Sequence, residues 1–293
     1  MSSKGWKDRL DRWTTSLWGA GFGWMGWWQR PSVHHWHPVK NQRVLVVAPH
    51  PDDEIMGCGG TLLHHQASQN PICLVVVTDG GRSRALGLSR TEMVKRRQAE
   101  ASQVARMLSV DQFHWCGLPE GEWTTEALQT SLQPIITQFS PDLLYLPSLV
   151  DFHSEHQQTA VALQSLLPHE TTIRVYQVQV PLTAVLTNVV VDVTQYLERI
   201  RTLLDAYETQ QDTIGNAMRL RRYTGSYYAA GVYAEPFWQM TAIQYQKLHQ
   251  SNLDRVSTAP FRGIRYRAFT DPLAYTQGRQ MRQHLVRQLA DKK

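Results

Sequence analysis

The chain has 293 residues, 42% of them apolar and 19% charged, with a formal net charge of +5. That length builds a sizeable core in one or two domains without covalent staples, and three scattered cysteines, Cys58, Cys73 and Cys116, exclude a disulfide framework and a cysteine-based zinc site. The positive charge sits at the ends: residues 1–40 carry six Lys/Arg against two Asp and residues 254–293 nine against three, so the centre is acidic and no nucleic-acid partner is expected.

Residues 1–40 form a segment of their own, holding seven of the ten tryptophans. Trp6, Leu10, Trp13 and Leu17 are spaced for one helical face, with Asp8, Arg9, Asp11 and Arg12 largely on the other. Tryptophan beside basic side chains suits a membrane interface, so peripheral membrane contact through residues 1–30 is expected; packing against the same chain or a partner subunit is the alternative. The apolar run Leu17–Trp28 is broken by glycines and falls short of the roughly 20 residues a span needs. It also lacks a usual cleavage site, so the expected location is cytoplasmic, peripheral on the inner membrane face.

From Val44 the pattern changes. Val44–Ala48 is a continuous apolar run, as in a strand buried on both faces. A helix over Glu54–Gln66, a strand over Ile72–Val77 and a long charged helix over Ser89–Leu108 follow. Strands over Phe113–Cys116 and Leu143–Leu146 alternate with helices over Thr125–Phe139 and Glu155–Leu167. This alternation predicts an α/β fold, a mostly parallel sheet with helices on both faces. Further strands are expected at Ile173–Val178 and Val189–Val193, a helix at Thr194–Gln210, a basic, tyrosine-rich loop at Arg219–Tyr228 and a terminal helix at Gln277–Leu289. The expected units are the segment 1–40, a main domain 41–253 and a basic extension 254–293.

Parallel sheets place their sites at the carboxyl ends of their strands, and the chemistry-bearing residues fall there. Pro49-His50-Pro51-Asp52-Asp53-Glu54 follows the first buried strand. A histidine among neighbouring carboxylates is costly to hold without a cation, and both are zinc donors. Asp151-Phe152-His153-Ser154-Glu155-His156 follows the fourth strand. Together the clusters supply His50, one Asp and one His, with an open position, the pattern of a catalytic metal. The remaining Asp suits a general base, and the remaining His a general acid or oxyanion donor.

The string Ala48–Gly60, APHPDDEIMGCGG, resembles the signature of the LmbE-like, or PIG-L, family of zinc-dependent de-N-acetylases. The resemblance runs through Thr78-Asp79-Gly80-Gly81, Arg97–Ala101, Pro141-Asp142 and the His-x-x-His of His153 and His156, to Tyr233–Phe237. It implies a Rossmann-like fold and hydrolysis of an N-acetyl group from an N-acetylated sugar of the N-acetylglucosamine type. It also implies His50, Asp53 and His156 as metal ligands, Asp52 as general base, and His153 as the protonated partner of oxyanion and leaving amine. Zinc is the expected cofactor, and ferrous iron or another divalent metal also suits two His and one Asp. The family's usual Pro-Asp between the late histidines is Ser154-Glu155 here; Glu155 is expected to orient His153 with a longer arm.

Asp79, Arg82 and Asp151 are candidate substrate contacts, while Arg97 and Glu100 read as a structural pair and His34-His35-x-His37 as an exposed polar stretch. A dinucleotide site is disfavoured, since no Gly-x-Gly-x-x-Gly follows the first strand. Two rival functions remain: amide hydrolysis on a non-sugar or thiol-conjugate substrate, and a membrane-associated binding protein of a glycan pathway that retains the metal site.

Overall fold

The computed structural model describes residues 20–250 apart from 22, 25, 30–31, 150, 152, 179–181 and 183–185, and omits the side chains of 211–214, 216 and 249–250. The apolar runs form the middle of one eight-stranded sheet. Its strands are β1 (His34–His35), β2 (Val44–Ala48), β3 (Ile72–Thr78), β4 (Gln112–Leu118), β5 (Leu143–Pro147), β6 (Thr172–Tyr176), β7 (Val189–Asp192) and β8 (Ala234–Thr241). The spatial order is β1-β7-β8-β6-β5-β2-β3-β4. Every pairing is parallel except those of β8, which runs antiparallel to both β6 and β7.

Alternation along the strands sends side chains to two faces. Val44, Val46, Ala48, Leu74 and Val76 pack on one face with α1 (Asp53–Ala67), α2 (Arg90–Met107) and α5 (Leu197–Asp205). Leu45, Val47, Cys73, Val75 and Val77 pack on the other with α3 (Thr125–Phe139), α4 (Ser154–Leu163) and α7 (Ala242–Gln250). This is the expected α/β architecture. The chain leaves β2 through β3 and β4 on one side and returns through β5 and β6 on the other, so the strand order reverses between β2 and β5. A crevice opens at such a switch point.

Two expectations need correction. Arg219–Tyr228 is not a loop but the second half of helix α6 (Gln211–Tyr228). Its buried positions Ala217, Leu220, Arg221, Thr224 and Tyr228 recur at helical spacing, but Arg, Thr and Tyr fill several of them in place of aliphatics. The expected helix Thr194–Gln210 is broken into a 3-10 turn at Thr194–Tyr196, α5, and a second 3-10 turn at Glu208–Gln210. The first strand of the sheet is β1, at His34–His35. Trp36 is buried, with the Arg174 guanidinium 4.2 Å over its ring. His34, His35 and His37 are exposed, as expected. The predicted helical face Trp6–Leu17, the helix Gln277–Leu289 and the extension 254–293 lie outside the described residues.

Candidate active site

Helix α1 starts directly after β2, and its first turn carries Asp53 and Glu54. Asp52, just before it, has φ +119° and ψ −26°, a sparsely populated conformation for a residue with a side chain, costing roughly 1–3 kcal/mol. The same helix is kinked at Cys58. On the other side of the switch point His153 is the N-cap of α4, its Nδ1 accepting from Glu155 N at 3.4 Å. His156 follows one turn on. The two clusters thus face each other across the crevice.

Three donor atoms converge there. His50 Nδ1 lies 3.0 Å from Asp53 Oδ2 and 3.2 Å from His156 Nε2; His156 Nε2 lies 3.1 Å from Asp53 Oδ2. Donors bound tetrahedrally to one zinc ion sit about 3.3 Å apart, so the triangle fits a shared ion. The outer nitrogens each face a carboxylate. His50 Nε2 meets Glu155 Oε2 at 2.8 Å, and His156 Nδ1 meets Asp151 Oδ2 at 3.2 Å. With a cation in the triangle, each carboxylate would favour a proton on the outer nitrogen and leave the inner lone pair to the cation. The His50, His153 and His156 ring nitrogens also fall within 4.8 Å of one another; the Asp53-containing triangle is tighter and includes an anion, which suits a divalent cation better.

Charge in the cluster follows from this crowding. Burial opposes charge on His50, but Asp53 and Glu155 overcome it and lift its pKa to about 9. His156 is raised well above its ordinary value against burial, by Asp53 and Asp151. Asp53 is held well below the usual carboxylate range, since both histidines outweigh its burial. The cavity therefore favours positive charge at its centre. Burial pushes Asp52 up to about 7, while the Arg97 guanidinium, 3.8 Å away, opposes the rise. Burial, then the charges of His50 and His156, push His153 down to about 4.

A cleft of about 180 Å³ opens onto the cluster. His50, Asp52, Asp53, His153 and His156 line it, together with Arg82, Arg97 and Glu120. Of the candidate substrate contacts, Arg82 lines this cleft, with its side chain 55% exposed. Asp79 instead accepts from Gly81 N and Glu120 N, tying the loops after β3 and β4 together. Asp151 is buried behind His156.

Sequence reasoning missed two residues here. Arg97, read as a structural partner of Glu100, is buried and lines the cleft. Gly80, at φ +63°, gives it room, since a Cβ there would lie 2.7 Å from Arg97 Nε. The Arg97–Glu100 relation runs through Thr209, whose hydroxyl donates to Glu100 and accepts from Arg97 Nη1. Glu155, expected to orient His153, is 3.9 Å from that ring and bonds His50 instead. Its other oxygen accepts from Gly121 N at 2.7 Å and Trp123 Nε1 at 2.6 Å. The longer glutamate arm reaches past His153 and fastens the loop after β4 to His50. Its proximity to His156 in sequence was the signal, but the partner was not readable.

Fold and donor set define a class: a Rossmann-like α/β protein with a site suited to a divalent metal at the switch point of its sheet. Within that class, residues 45–167 match the family model PIG-L, described as GlcNAc-PI de-N-acetylase, so this stretch is similar to PIG-L, or LmbE-like, domains. The chain is 27% identical over 139 residues to a Bacillus anthracis protein named "Probable N-acetyl-alpha-D-glucosaminyl L-malate deacetylase 2", covering 44% of this chain and 61% of that relative's length. The fold is similar to that of N,N'-diacetylchitobiose deacetylase from Pyrococcus horikoshii, with a TM-score of 0.62, 20% identity and coverage of 70% of this chain and 85% of that one. GalB, a 4-carboxy-2-hydroxymuconate hydratase from Pseudomonas putida, shares the fold at a TM-score of 0.60 and 16% identity, over 68% of this chain and 96% of that one. The fold alone therefore does not select the reaction.

Proposed function

We propose that the chain is a divalent-metal-dependent, in the first instance zinc-dependent, hydrolase that removes the acetyl group from an N-acetylated sugar. The observation that carries this reading is the triangle of His50 Nδ1, Asp53 Oδ2 and His156 Nε2 beside a second buried carboxylate, Asp52. The matched domain and the relative named as a deacetylase support the substrate class.

His50, Asp53 and His156 would hold the metal. A divalent metal there supplies a bound water with a pKa near 7 and polarises the acyl carbonyl. Asp52 takes the proton from the attacking water, and a carboxylate poised near neutrality can also give it up. His153 has its Nδ1 lone pair engaged by Glu155 N, so its proton sits on Nε2. That N–H faces the cleft and acts as the donor to the developing oxyanion. In this reading the role that the resemblance implies for a protonated His153, serving both oxyanion and leaving amine, is shared with Asp52. Asp52 returns to the amine nitrogen the proton it took from water, and the C–N bond breaks to leave free amine and acetate.

Acetate release from free N-acetylglucosamine, its nucleotide-activated form and a lipid-linked form, by wild type and Asp52→Asn, tests the proposal. Release by wild type that vanishes in the variant is expected. No release from any sugar, with metal bound, would overturn the sugar assignment in favour of a non-sugar amide or a binding role.

A further inference from the structure

The described N-terminal residues hold a surface that the proposed site does not use. Trp24, Trp27 and Trp28 are 66%, 67% and 71% exposed, on one short helical stretch. The rings of Trp24 and Trp28 stack on each other, 6.3 Å apart and 5° from parallel. Large aromatic side chains clustered in water mark an interaction surface.

The stretch is fixed in an orientation that keeps them outside. Gly26, roughly opposite Trp24 and Trp28 on a helix, is pressed against α6 so closely that a Cβ would lie 1.9 Å from the Tyr227 carbonyl oxygen. The Tyr227 hydroxyl also donates to Gln29 Oε1. Only glycine permits this close a seat.

Charge indicates what covers them. Residues 20–40 contain no Asp or Glu, while Arg30, Lys40 and three histidines are present. Residues 1–19 add Trp6, Trp13 and Trp18, with four Lys/Arg against two Asp. In a symmetric contact a second copy would bring the same carboxylate-poor sequence and so offer no charge complement. An anionic bilayer matches both features, since indole rings partition to the headgroup level and basic groups are drawn to acidic lipid. No helix among the described residues is long and apolar enough to cross a membrane, so the contact is peripheral.

We propose that Trp24, Trp27 and Trp28 form an insertion surface for an anionic lipid bilayer. The surface is separate from the cleft: Gln210 lines the cleft at the start of α6, and Tyr227 seats the tryptophan stretch about 25 Å away along it. The proposal therefore does not depend on the reaction assigned to the cleft.

The test uses the full chain, wild type against the triple variant Trp24→Ser, Trp27→Ser and Trp28→Ser. Cosedimentation is measured with vesicles of phosphatidylcholine alone and of phosphatidylcholine mixed with phosphatidylglycerol, at low and high salt. Wild type should partition onto the mixed vesicles, less at high salt and less onto phosphatidylcholine alone, and the variant should lose roughly tenfold or more of that partitioning. Since the three side chains are exposed, the thermal unfolding midpoint should not move; if it does, Trp28→Ser alone should still show a graded loss. Equal pelleting of wild type and variant, or none by wild type, overturns the proposal. So does lipid-free sedimentation showing a wild-type dimer that the variant lacks, which would assign the surface to a second copy.

Discussion

Two buried clusters of charge, both anchored on α1, are built to opposite rules. Where α6 meets β8, Arg221 and Glu235 satisfy each other and everything around them. Arg221 gives Nε and Nη2 to Glu235 Oε1 and also bonds the carbonyls of Ile55 and Ala217. Glu235 accepts from Gly60 N, Thr61 N and the Thr61 hydroxyl. These are backbone groups on both sides of the kink at Cys58, so the pair splints a broken helix. At the mouth of β2 and β5 the arrangement differs: His50 Nδ1, Asp53 Oδ2 and His156 Nε2 converge within about 3 Å of one another and face an open cleft. Buried charge that is internally complete holds structure, whereas a convergent His-Asp-His set facing a cleft suits a bound cation.

Breaking each cluster separates the two rules. The largest effect is expected at Asp52: Asp52→Asn should lower kcat by roughly 10²–10⁴-fold or more while bound metal is retained, read by acetate release together with metal analysis. Glu235→Ala leaves Arg221 and two helix amides without their partner and should cost roughly 3–5 kcal/mol in a denaturant titration. A loss under about 1 kcal/mol would deny that this pair splints the kink. Glu155→Gln should weaken metal binding by roughly 10–100-fold through loss of the carboxylate on His50. A chelator competition showing unchanged affinity would remove it from the account.

The smallest effect is at the half-exposed Arg43–Asp142 pair. The Arg43 hydrogen bond and charge hold the Asp142 carboxyl below its ordinary value. Its contribution is therefore full above the usual carboxylate pKa of about 3.9 and is lost as pH falls through the lower folded value. Asp142→Asn should slightly flatten the acid limb of a pH–stability curve and leave neutral stability nearly unchanged, because water screens the pair.

The same two regions differ in how far the sequence could be read. The site half is dense in local signals. Val44–Ala48 is apolar throughout and followed at once by His50, Asp52 and Asp53, so the strand and the candidate cluster at its carboxyl end were legible, while the choice of Asp53 and His156 came only with the family resemblance. The α6–β8 half carries its information in long-range polar partners. Arg221, Thr224 and Tyr228 sit on a buried helical face without looking apolar. Strand β8 holds Pro236 opposite Val190 in its interior, which obscures a strand pattern. Glu155 marks the same limit inside the site: its place beside His156 was visible, but its choice of His50, Gly121 and Trp123 depends on a loop brought in by tertiary folding.

The most direct test of the donor triangle is metal stoichiometry after equilibrium dialysis against zinc, compared among wild type, Asp53→Ala and Asp52→Asn. One tightly bound ion per chain is predicted for wild type and for Asp52→Asn, with none held by Asp53→Ala. Full occupancy in Asp53→Ala, or equal loss from both variants, would contradict the division of the two neighbouring aspartates into ligand and base.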